Sequence, residues 1–210
     1  MEKKFILTDK FVINSFGIKL FQIKCTKSFK YAQKGDFGGY VEKEGNLDQE
    51  NDAWVFGNAR VFGNARVSSN ARVSGDAWVS DNARVSGDAW VFGDALVSGY
   101  AWVSGDARVF GNARVSGDAW VSGNAWVSGD ADIENDNEHC GFDGFGSCNR
   151  HTHAYMTKEK KVEIICGCFR GSIEEFEKKV EETHSGTVYE KQYKSIINVI
   201  KIKFGLTDFT

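Results

Sequence analysis

The chain has 210 residues, with 26 Lys plus Arg against 29 Asp plus Glu, a formal net charge of −3, 23 Gly, 5 Cys and no Pro. That length suits one or two packed domains, and 41% hydrophobic residues excludes a disordered or collagen-like chain. No apolar run approaches the ~18 residues of a membrane span, and Met1-Glu2-Lys3-Lys4-Phe5-Ile6-Leu7 lacks the apolar stretch of a secretory signal, so a soluble cytoplasmic protein is expected.

Charge is unevenly spread. Residues 1–50 carry nine Lys against seven acids, residues 51–134 six Arg against ten acids with no Lys, and residues 135–210 eleven basic residues against twelve acids. No segment is basic enough to track a long nucleic acid. Five cysteines without an export signal are expected as free thiols.

Residues 4–7, 11–14 and 18–25 read as short strands, with Ser15-Phe16-Gly17 as a tight turn, so residues 1–35 are expected to form a β cap. Gly38-Gly39-Tyr40-Val41 and Leu47, with Val41 and Leu47 six apart, read as an irregular first coil that begins near Asp36. From Asn51 to Glu134 an unbroken six-residue period follows, fourteen hexads such as Gly105-Asp106-Ala107-Arg108-Val109-Phe110. Every hexad has Ala at its third position, and the fifth is Val in all but the last, where it is Ile133. In an extended strand residues two apart share a face, so Ala and Val point inward and positions four and six outward. The opening Gly-Asp or Gly-Asn is corner chemistry, because Gly accepts positive φ and Asn or Asp tolerates it. A four-residue strand and a two-residue corner, repeated, predict a solenoid over 36–134. A helix is excluded, since a period of six keeps no face at 3.6 residues per turn.

Beyond Glu134 the period dissolves, and residues 135–148 read as a Gly-rich linker. Strands are expected at about 149–156 and 162–169. Ser172-Ile173-Glu174-Glu175 is a capping box opening a helix to His184, and a second amphipathic helix covers about 188–204, giving a ββαα module over 149–210.

The unit Val103-Ser104-Gly105-Asp106-Ala107-Arg108 resembles the hexapeptide repeat of left-handed parallel β-helices, in which three hexads make one triangular coil. The resemblance implies a mainly β fold of about 4.7 coils, roughly 22 Å tall at a strand spacing of ~4.8 Å. Lys34-Gly35-Asp36-Phe37-Gly38-Gly39-Tyr40-Val41-Glu42 and Cys166-Gly167-Cys168-Phe169-Arg170-Gly171-Ser172-Ile173-Glu174-Glu175-Phe176 resemble segments that bracket such repeats in phage and prophage-borne bacterial proteins. That second likeness implies a bacterial host cytoplasm. It also brings the alternative of an inhibitor of a host defence system, bound to an immune enzyme or its nucleotide signal.

Three regions carry candidate sites. Many hexapeptide β-helices resemble acyltransferases, which need a general base, usually His; yet the hexads hold neither His nor insertion, and all four His lie beyond them. A non-enzyme without cofactor is therefore expected. His139, Cys140, Cys148, His151, His153, Cys166 and Cys168 gather zinc-type ligands at spacings unlike zinc knuckles. If Thr157 pairs with Val162, then His151, His153, Cys166 and Cys168 share one face; a register pairing Met156 with Val162 and Ala154 with Ile164 instead makes an apolar face for the helices. The apolar register is the expected one.

The third site is the outer surface. Taking every third hexad, one face carries Trp54, Arg72, Trp90, Arg108 and Trp126, beside Phe56, Phe92 and Phe110 at position six. The others carry Arg60, Trp78, Leu96, Arg114, Asp132 and Arg66, Arg84, Trp102, Trp120. Alternating guanidinium and indole planes form a cation–π ladder, and the adjoining Phe residues add apolar area of the kind found at interfaces. A homo-oligomer, dimer or trimer, joined through this face is expected; cover by the chain's own ends, a foreign protein, or a small nucleotide are the alternatives.

Overall fold

The computed structural model describes residues 3–206. Strands β1 (Phe5–Ile13), β2 (Lys19–Cys25) and β3 (Phe37–Val41) precede fourteen two-residue strands, β4–β17, running from Trp54–Val55 to Asp132–Ile133. Each short strand from β4 to β14 pairs in parallel with the one eighteen residues on, as in Arg72↔Trp90 and Trp90↔Arg108. The result is a parallel β-solenoid of about five turns with three ladders along its length. The formal strands are shorter than four residues, but the ladder continues around the corner: Ser74 N–H, Asp76 N–H and Trp78 N–H all donate to the next turn at 2.9 Å.

Ala and Val fill the interior, and none of the hexad Ala or Val side chains exceeds 3% exposure. The corners explain the glycines. Gly105 has φ +65°, and a Cβ built there would clash with the next turn, meeting Gly123 N at 2.9 Å and Gly123 O at 3.1 Å. Ser69 and Asp81 adopt the same conformation without being Gly, and the Asp81 carboxylate accepts the Gly99 N–H at 3.1 Å.

At the N-terminal end β1 and β2 form an antiparallel hairpin, and β2 pairs with β3, which joins the rod in parallel at Arg60–Val61. Segments 4–7 and 11–14, expected as separate strands, are one strand interrupted by a bulge between Leu7 and Phe11. The turn that follows closes on Asn14, whose Oδ1 accepts the N–H of Phe16 and of Ile18 at 3.0 and 2.9 Å. Val41↔Val61 and Leu47↔Val67 pair twenty residues apart, so the first turn is longer than the rest. Phe5, Ile23, Cys25 and Ala32 plug the interior of this end. Lys4, 4% exposed, donates from Nζ to the carbonyls of Asn51 at 2.5 Å and Ala53 at 2.9 Å, and burial pushes its ammonium down to about 8.

The other end is closed by a sheet rather than a linker and two strands. Residues 135–148 hold a short 3-10 turn, Asp136–Glu138, and strand β18 (His139–Phe145), which pairs antiparallel with β19 (Arg150–Met156). Strands β20 (Val162–Cys166) and β21 (Phe169–Ser172) complete four strands, so the expected ββαα module is ββββαα. Its glycines suggested a loop, but a Cβ on Gly141 would sit 2.7 Å from the His151 ring: the glycine serves close packing within the sheet. Tyr155 and Ile165 enter the rod's core cluster, and Ala131 bridges Thr157. Helix α1 (Ile173–His184) starts at the expected capping box, Glu175 N–H donating to Ser172 Oγ at 3.2 Å. It packs with α2 (Val188–Lys203) over the far side of the sheet through Phe176, Val180, Tyr193, Ile196, Ile197 and Ile200.

Lys4→Met removes both donors to the terminal turn and should lower stability by about 1–3 kcal/mol, the cost of stranding buried carbonyls. Thermal melting measures this; an unchanged midpoint would show that Lys4 does not hold the terminal turn.

Candidate interaction face

The ladder expected on one face is a single parallel sheet, with Trp54 beside Arg72, Arg72 beside Trp90, Trp90 beside Arg108 and Arg108 beside Trp126. Its two halves differ. Trp54 points away from the rod axis yet is only 1% exposed, because Phe29 and Phe5 of the N-terminal cap close on it at 5.3 and 6.3 Å. Arg72 is half-buried, its guanidinium 5.3 Å from the Tyr31 ring and 4.4 Å from Trp90. Phe56 is half-buried against the core. The cap thus buries Trp54 and reaches Arg72 through Tyr31.

In the second half Trp126 is exposed, while Trp90, Phe92 and Phe110 are half-buried against one another. Trp90 lies 4.3 Å from Phe92, Phe92 stacks on Phe110 at 4.9 Å and 3°, and Phe110 meets Trp126 edge-on at 6.4 Å. Arg108 is exposed and sits 5.0 Å over Trp126. Trp90 is locked by its Nε1–H to Ser74 Oγ at 2.9 Å.

The largest exposed indoles stand elsewhere. Trp102 and Trp120 stack at 5.3 Å and 8°, with 39% and 51% of their surfaces exposed. The column order Arg66, Arg84, Trp102, Trp120 held that signal, but its serine neighbours at position six masked it. On the third face Phe16 of the β1–β2 turn covers Phe62 at 6.2 Å and Trp78 at 6.3 Å.

The cysteines and histidines of the zinc-type set do not come together as one group. Strands β19 and β20 pair Thr152 with Cys166, Ala154 with Ile164 and Met156 with Val162, which is the apolar register. Alternation then sends Cys166 toward the helices, where its Sγ lies 3.3 Å from Thr152 Oγ1 and 3.7 Å from Tyr193 Oη, while His153 faces the rod and donates to the Trp126 carbonyl at 3.0 Å. Cys168 is exposed at a turn. Cys140, Cys148 and Cys25 are likewise unbridged, and among the described residues no group of three or more His, Cys, Asp or Glu side chains is placed to hold a metal ion.

The same alternation gathers three histidines against the rod's end. His153 Nδ1–H donates to Trp126, so its Nε2 accepts from His139 Nδ1 at 3.2 Å, and His151 Nδ1 pairs with Asp143 at 2.8 Å. Spacing along the chain does not show this, because β18, which brings His139 and Asp143, reads as linker. A cleft of about 430 Å³ opens beside them, lined by Asn124, Trp126, Asp143, Arg150, His151 and Ile165 among others. Burial, reinforced by the neighbouring His139, pushes His153 down to about 3.

That shift makes the cap acid-sensitive. Below an unfolded pKa of 6.5 the unfolded chain binds a proton that folded His153 refuses, so stability should fall as pH drops from 6.5 toward about 3. Denaturant melts of the parent and His153→Gln across this range test it: the parent should lose more stability than the variant, and parallel curves would count against a buried neutral His153.

The solenoid is also visible in comparison with known families. The family model described as the YdcK beta solenoid repeat matches residues 65–81, 77–92 and 107–123, all within the rod. No curated protein matches the chain.

Proposed function

We propose that this protein is a non-enzymatic assembly scaffold: a stiff β-helix rod, left-handed as the resemblance to hexapeptide-repeat β-helices implies, that associates side by side with a second copy and presents its terminal modules to a partner. The observation that carries this reading is the strip of adjoining outer rings, Trp90, Phe92 and Phe110 half-buried and Trp126 37% exposed, in a chain that covers Trp54 and Phe62 with its own residues. Trp, Phe and Arg are the residue types enriched at interface centres, and contiguous apolar area mainly survives on a surface when something else covers it.

The rod's ends argue for a lateral contact. The β1–β2 hairpin occupies one end, and β19 lies across the other, so neither offers an open ladder for end-to-end growth. A flat strip running along the axis suits pairing with its own copy, since an isologous contact repeats one patch on both partners.

Light scattering coupled to gel filtration at tens of micromolar should show an oligomer, a dimer or trimer. Phe92→Asp combined with Phe110→Ser should give monomers that melt as the parent does, because both rings lie outside the Ala–Val interior. A monomeric parent, or an oligomer indifferent to the double change, would refute association through this strip.

A further inference from the structure

The Arg–Trp steps between turns are not alike. Arg60 stands 5.2 Å over Trp78, Arg72 4.4 Å over Trp90 and Arg108 5.0 Å over Trp126. In the same arrangement Arg84 pairs with Trp102 in register, yet no guanidinium covers that indole among the described residues. Trp120 covers the other face of Trp102 at 5.3 Å, so the face turned toward Arg84 is the open one. The ring is held in place, its Nε1–H donating to Ser86 Oγ at 3.0 Å.

Next to it two positive charges stand in line. Arg66 and Arg84 are directly paired on adjacent strands, ~4.8 Å apart at the backbone, and both are exposed. Among the described residues neither makes a salt bridge, and the nearby Asp88 carboxylate accepts instead from Asn70 at 3.2 Å. Two guanidiniums on adjacent strands gain from an anion placed between them, and their forked N–H groups match the oxygens of a phosphate. Arg66, Arg84 and Trp102 bound a groove of about 300 Å³, with Ser68 and Ser86 as its hydroxyl floor.

We propose that this groove binds a small phosphate-bearing aromatic ligand of the mononucleotide class, its base stacked on the open face of Trp102 and its phosphate shared by Arg66 and Arg84. The fixed indole costs nothing to orient on binding. Acidic corners at Asp88 and Asp106 flank the column and disfavour a polyanion, so the site takes a single nucleotide rather than a strand. A single chain builds the whole groove, and the site does not depend on association through the Phe92–Phe110 strip.

Titration calorimetry with AMP, adenosine and inorganic phosphate tests the proposal. AMP should bind with about one site per chain and more tightly than either fragment. Arg84→Gln and Trp102→Leu should each weaken AMP by roughly tenfold, the loss of one charge-assisted contact or one stacked base. In NMR spectra the Trp102 indole N–H should shift with AMP. The Phe92→Asp, Phe110→Ser protein should bind AMP as the parent does, which separates this site from the association surface. No heat with millimolar AMP, equal affinity for AMP and phosphate, or AMP binding that survives Arg84→Gln in a protein of parental melting temperature would overturn it.

Discussion

The structure depends on a narrow interior that admits one kind of filling. Ala at the third and Val at the fifth place of each hexad stack on their equivalents in the turns above and below, and nearly all are wholly shielded from water. A larger residue at either place would push the walls apart and break the hydrogen bonds that join successive turns; a smaller one would leave a void repeated along the axis. Uniform side chains inside therefore enforce uniform backbone outside. From Gly57 onward every corner then repeats the same positive-φ geometry, with Gly at most of them and Ser69 and Asp81 as exceptions.

Because the interior is so regular, the chain's individuality moves to its ends and its outer columns. A parallel ladder cannot finish itself: its last N–H and C=O groups need partners, and its core needs a plug. The N-terminal cap supplies Phe5 and Ile23 for the core and Lys4 for the carbonyls. The C-terminal sheet supplies Tyr155 and Ile165 for the core, and His153 for the Trp126 carbonyl. Each cap reaches beyond the end it closes. Phe29 and Phe5 cover Trp54, and Phe16 covers Phe62 and Trp78, so end closure also decides which outer aromatics stay available.

Two surfaces of different chemistry remain. The Trp90–Trp126 strip combines apolar rings in mutual contact, which suits a broad partner. The Arg66–Trp102 column keeps unpaired cations next to an open indole face, which suits a small charged one. They lie on separate ladders of the same rod. A stiff solenoid holds the two at constant separation, since bending it would shear many equivalent hydrogen bonds at once.

The hexad arithmetic alone establishes the solenoid, the inward Ala and Val, and the composition of each outer column, because a strict period maps sequence directly onto position. The Ser172 capping box and the Met156–Val162 register are legible for a similar reason: both follow from short-range pattern. Local pattern says nothing about which distant segment folds back on which column. Trp54 reads the same as Trp126, yet one is buried by Phe29 and the other is 37% exposed. Strand β18 is hidden by its glycines, and at Gly141 the local preference for a turn is overridden by the room that the His151 ring needs. The histidine cluster and the uncapped Trp102 were decided in three dimensions, where contacts between residues far apart in the chain outweigh the preferences of each residue's neighbours.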